Sequence, residues 1–131
     1  MDYINWISVA IAALATFVIG GFWYSPLLFL KPWQKDMNID ASQPGHPARV
    51  FSLAYIFSFL SCALLATLLG PDANLVAGLK LGTAVGLFIV FCSFGINYQF
   101  ANRPLRALFI DGGYPVVQFA LFGLVLGAWP G

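Results

Sequence analysis

The chain has 131 residues, 60% of them hydrophobic and only 8% charged, with six basic side chains, five Asp and no Glu. Soluble domains carry about a quarter charged residues, so this composition excludes a soluble globular protein. The charges leave four uncharged runs, Tyr3–Leu30, Val50–Pro71, Leu81–Asn102 and Gly112–Gly131, each at or above the ~20 residues a helix needs to cross a bilayer. Backbone groups in lipid must be satisfied internally, and apolar runs without period-2 alternation select helices over a barrel. The fold class expected is all-α: a single four-helix transmembrane bundle over residues 1–131, with spans at about 3–30, 50–70, 75–98 and 105–129.

The first span opens with Asp2 and no Lys or Arg, and stays apolar past Ala13-Leu14-Ala15, which reads against a cleaved signal peptide. It is longer than a bilayer requires, so it must tilt, bend or extend beyond the membrane. Pro26 supplies a kink by removing the hydrogen bond to the Phe22 carbonyl. The polar segment Lys31–Arg49 follows, with Trp33 at headgroup level and His46 as a solvated loop residue lacking a second metal ligand.

The second span stops at Gly70-Pro71, and the connection Pro71–Asn74 is short enough to make a tight antiparallel hairpin with the third. Lys80, near the outer end of the third span, has a stem long enough to snorkel. Cys62 and Cys92 each lie inside a span without a C-x-x-C pair, and read as buried inert thiols.

The fourth span has two readings. If it begins at Leu105, Asp111 lies ~9 Å below the interface. In that reading Tyr114 and Gln118 extend a polar stripe inward, and Pro115 with Gly112-Gly113 allows a backbone break. Alternatively Asn102 caps a short interfacial helix ending near Ile110, and Asp111 stands at headgroup level paired with Arg103, Arg106 or Lys35.

Lys31, Lys35, Arg49, Arg103 and Arg106 fall on one side of the four spans and Lys80 on the other. The positive-inside rule makes loops 31–49 and 99–106 cytoplasmic and both termini external. Small residues recur at four-residue spacing in every span: Ser8, Ala12, Thr16 and Gly20; Ala54, Ser58, Cys62, Ala66 and Gly70; Gly78, Gly82 and Gly86; Gly123 and Gly127. Such ladders permit close helix approach within the chain, or, for Gly78/Gly82/Gly86, between subunits of a homo-oligomer.

The tract Gly20-Gly21-Phe22-Trp23-Tyr24-Ser25-Pro26-Leu27-Leu28-Phe29 and Trp33 carry a resemblance, as do Asn97-Tyr98-Gln99-Phe100, Arg103-Pro104 and the closing Gly123–Trp129. Together they make the chain similar to the bacterial membrane family Domain of Unknown Function 1761 over essentially its whole length. The resemblance implies four helices in one compact membrane domain and transfers no site residues.

The functional expectation is a bacterial inner-membrane protein, a homo-oligomeric passage or carrier for a solute or ion, its site a polar cluster of Ser25, Asn97, Gln99 and Asp111, with Tyr114 and Gln118 leading inward. The alternative is a non-catalytic scaffold or lipid-interacting subunit that packs against a partner membrane protein. Without paired His, a phosphate loop or a nucleophile set, the sequence predicts no enzyme, metal or cofactor. Partners expected are membrane lipid and copies of itself, and no nucleic acid.

Overall fold

The structure, a computed structural model, describes residues 3–38 and 47–129; His46 lies outside them. All the secondary structure among the described residues is helical. The elements are α1 (Trp6–Trp23), α2 (Leu30–Met37), α3 (Pro47–Leu69), α4 (Leu75–Ala84), a π-helical stretch (Val85–Phe91) leading directly into α5 (Cys92–Phe100), and α6 (Leu105–Ala128). Four helices are long and apolar enough to cross a membrane: α1, α3, the continuous Leu75–Phe100 and α6.

α1 starts where the Asn5 side chain accepts hydrogen bonds from the Ile7 and Ser8 amides, satisfying two of the unpaired N–H groups at a helix start. It ends at Trp23, well short of Leu30. The Phe22 carbonyl is taken by both the Ser25 amide (3.2 Å) and the Ser25 hydroxyl (2.7 Å). Pro26 has no N–H with which to resume the ladder. What the sequence presents as a kink is therefore a stop: the chain turns over residues 24–29 and restarts as α2. That helix closes at Asn38 in the left-handed conformation. Arg106 clamps α2 to the start of α6 by donating from Nε and Nη2 to the two Asp36 carboxylate oxygens, each at 2.7 Å.

α3 ends at Leu69, and Gly70 (φ 77°) takes the left-handed turn before Pro71. Asn74 then caps α4 through the Ala77 amide. At the far end of this hairpin Asn102 (φ 54°) terminates α5, with the Asn102 and Arg103 amides bonded back to Gln99 and Tyr98 carbonyls. This is the double-bond pattern of a Schellman stop. Asn102 therefore ends one helix instead of capping the next, whose cap position is Pro104. α6 runs from Leu105 through Gly112-Gly113 and Pro115 to Ala128 without interruption. No separate interfacial helix precedes it; the short helix of this protein is α2.

α6 is the central element, packing on α4, the π-helical stretch, α1, α2 and α3. Its seam with α4 is built from glycine. A Cβ placed on Gly78 would lie 2.0 Å from the Gly123 carbonyl oxygen, one on Gly82 2.0 Å from that of Phe119, and one on Gly127 2.2 Å from that of Asn74. The backbones touch, which is how helices associate where lipid supplies no hydrophobic drive. Gly78, Gly82 and Gly86 are all buried against α6, so they are spent within the chain and cannot form a subunit interface. Beside this seam, Val9, Ala12, Ala13, Cys62, Leu65, Phe122 and Leu126 form a closed apolar core between α1, α3 and α6.

Candidate functional site: a carboxylate held by two tyrosines

The helix ends Trp23, Pro47, Phe100 and Leu105 gather at one end of the molecule, together with Lys31, Lys35, Arg49, Arg103 and Arg106. At this basic end α6 carries Asp111 inward from Leu105 by six residues, about 9 Å along the helix. Asp111 is only 7% exposed. One carboxylate oxygen accepts a hydrogen bond from the Tyr24 hydroxyl at 2.6 Å, and the other accepts one from the Tyr98 hydroxyl. Two neutral donors thus hold the charge, one from the turn after α1 and one from α5. Neither Arg103, Arg106 nor Lys35 pairs with it. Arg106 is committed to Asp36, and its pull holds the Asp36 carboxyl below the ordinary carboxylate value.

The chain's route explains this arrangement. Trp23, the last residue of α1, donates its indole N–H to the Ile110 carbonyl at 2.7 Å and so pins the helix end beside Asp111. The turn that follows brings Tyr24 against Trp33 of α2 (ring centroids 4.8 Å) and Tyr114 of α6 (5.7 Å), both in tilted contact. On the other side, the wider winding of the Val85–Phe91 stretch lies against Pro115 and Gly112. Single π turns recur at functional sites in helical proteins.

A second polar layer lies deeper. The Tyr114 hydroxyl donates to the Thr16 carbonyl at 2.8 Å, and Gln118 Nε2 donates to the Thr16 hydroxyl at 2.8 Å. The Thr16 and Ser58 hydroxyls are 2.6 Å apart, and Ser58 donates to the Ala54 carbonyl. With Ser58's proton used there, Thr16 donates to Ser58, giving a one-directional chain Gln118→Thr16→Ser58→Ala54. Beyond it stands the closed core of Val9, Ala12, Cys62 and Phe122.

Between these layers opens a cleft of about 760 Å³. Tyr24, Trp33, Phe51, Phe94 and Tyr114 supply aromatic walls, and Asp111 is its acidic group. Gly21 leaves room in α1, where a Cβ would meet nothing within 4 Å, whereas one on Gly20 would lie 3.3 Å from the Tyr114 hydroxyl.

Of the predicted site residues, Asp111, Tyr114 and Gln118 belong to these two layers. Ser25, Asn97 and Gln99 do not. Ser25 is used as a helix stop, and Asn97 and Gln99 are exposed, since neighbours on a helix point ~100° apart and Tyr98 takes the inward direction. Gly20 abuts the Tyr114 ring, and Pro115 lies buried against Gly86. The functional groups that sequence reasoning passed over are the Tyr24 and Tyr98 hydroxyls, and the Thr16 and Ser58 hydroxyls, read as small packing residues. One signal was present: a buried carboxylate needs donors, and tyrosines stood at both neighbouring helix ends.

Among the described residues no group of three or more His, Cys, Asp or Glu is placed to hold a metal ion. Cys62 is fully buried and Cys92 exposed, and both are free. No curated protein and no solved structure matches the chain. Residues 7–127 match the family model described as Protein of unknown function (DUF1761), and the chain therefore belongs to that family.

Proposed function

We propose that the protein is a multi-pass membrane carrier that binds a small solute in the cleft at its basic end. One observation carries the reading: a 7%-exposed aspartate, held by two tyrosine hydroxyls, lines a cleft of about 760 Å³. Intramembrane acids are costly and mark solute or proton sites, and the cleft's size lies in the ~300–1,000 Å³ range of small-molecule pockets. The opposite half of the chain is filled by apolar side chains. That favours a carrier with its site open at one end over a continuous passage through one copy.

The basic end faces the cytoplasm in this reading, with both termini outside, by the positive-inside rule. An inner-membrane homo-oligomer completes the proposal. Because the Gly78/Gly82/Gly86 seam is used within the chain, subunits would meet on other faces, such as the exposed Phe57, Leu60, Leu64 and Leu68 of α3. A pure scaffold, the alternative role, would gain nothing from a buried carboxylate beside an open cleft.

The test is flux. Purified protein in liposomes should accelerate movement of at least one member of a solute and proton panel, and Asp111→Asn should change that rate. Protein that leaves every member at the rate of empty liposomes contradicts the proposal.

A further inference from the structure

The chemistry of the cleft selects among ligands. Among the described residues Asp111 is its only acidic side chain, and no Lys or Arg lines it. The two hydroxyls on the carboxylate are neutral, so they stabilise its charge without cancelling it, and among the described residues no cationic side chain forms an ion pair with it. An anion would meet an uncompensated negative charge. A sugar or other polyol would find too few polar partners among walls that are chiefly aromatic and apolar. Aromatic faces, by contrast, attract a desolvated positive charge within about 6 Å of the ring, and Trp33, Tyr24 and Tyr114 stand in a row beside Asp111.

We propose that the cleft binds a small amphipathic organic cation, an ammonium or phosphonium bearing apolar substituents, with its charge against Asp111 and the Tyr24–Trp33–Tyr114 rings. The apolar substituents rest on Phe17, Phe51 and Phe94, which also line the cleft. The charge of the ligand supplies what the two tyrosines do not, a full counter-charge in a low-dielectric site. This deepens the carrier reading by naming its ligand class.

The test uses the full-length protein in zwitterionic lipid nanodiscs, with binding of tetraphenylphosphonium measured by equilibrium dialysis against empty nanodiscs. Triphenylphosphine oxide serves as the neutral analogue. Saturable binding of the cation, absent for the neutral compound, is expected. Asp111→Asn should weaken cation binding at least ~10-fold, about 1.4 kcal/mol. Gly21→Leu places a side chain in open space within the cleft and away from the helix seams, and should abolish binding while the protein still folds. Equal uptake of the neutral compound by unaltered protein overturns the proposal, and so does cation binding that survives Gly21→Leu. Because the cation–neutral comparison is made on unaltered protein, it decides the matter even if Asp111→Asn fails to fold. Cation binding without flux in liposomes would sink the carrier and keep the site. Flux of another solute with no cation binding would do the reverse.

Discussion

The two halves of this molecule solve opposite problems with the same helices. In the half farther from the basic end, α4 and α6 meet backbone to backbone through Gly78, Gly123 and Gly127, and Phe122, Leu65 and Val9 fill what remains. A cavity of about 20 Å³ beside Ser8 lies in this half. In the basic half the same α6 carries Asp111, Tyr114 and Gln118. There α1 stops early, and a cleft of about 760 Å³ opens. Glycine at the seam closes one half; Gly21, with the stop at Ser25-Pro26, keeps the other open. Small residues thus serve close approach in one place and free space in another, and only the partner across from them tells which.

That contrast can be broken most severely at the seam. Gly123→Ala puts a methyl group 1.9 Å from the Gly78 carbonyl oxygen, and α4 and α6 must move apart. A loss of about 3 kcal/mol or more is expected from overpacking against backbone, read as a lower unfolding midpoint in detergent. Gly21→Leu, one helix away and in open space, should leave that midpoint unchanged. The pair separates the seam from the cleft by stability alone.

The next largest effect belongs to the tyrosines. Tyr24→Phe or Tyr98→Phe removes one of the two donors on a buried carboxylate, and a hydrogen bond to a charged group is worth about 1.5–3 kcal/mol. Each variant should lower stability by that order, while Tyr3→Phe, whose hydroxyl reaches only the Thr67 carbonyl at 3.1 Å, should lose about 1 kcal/mol. Equal losses for all three would mean that Asp111 gains nothing special from its partners.

The smallest effect lies at the clamp between α2 and α6. The Asp36 carboxyl is held below its ordinary value, first by its hydrogen bonds from Arg106 and also by that guanidinium's charge. A depressed folded value means that the clamp contributes fully above the ordinary carboxylate range, and that its contribution fades as pH falls through the folded value. Exposed pairs contribute little. Asp36→Asn should therefore lower the midpoint slightly at pH 7 and flatten its dependence on acid below about pH 4.

Much of the closed half was legible in the sequence. The charge-free runs mark the four long helices, Gly70-Pro71 marks the end of α3, and glycines four apart mark the seam, because each signal is local to one helix. The open half was not, for two physical reasons. The tract Pro26-Leu27-Leu28-Phe29 is as apolar as a span. Hydropathy therefore carries α1 on to Leu30, whereas the stop is made by Ser25 capturing the Phe22 carbonyl. Tyr24 and Tyr98 are amphipathic, equally suited to headgroups or to a buried acceptor. Their partner lies 87 residues away for one and 13 for the other. Only the fold brings the three together.

Water access separates the halves most directly. In protein with Cys92→Ala, a membrane-impermeant maleimide should modify Gly21→Cys, at a position that lines the cleft, from the basic side of the bilayer only. It should leave Cys62, 0% exposed in the closed core, unmodified from either side. A Gly21→Cys thiol unreactive from both sides, or a reactive Cys62, would contradict a molecule open to solute at one end and sealed at the other.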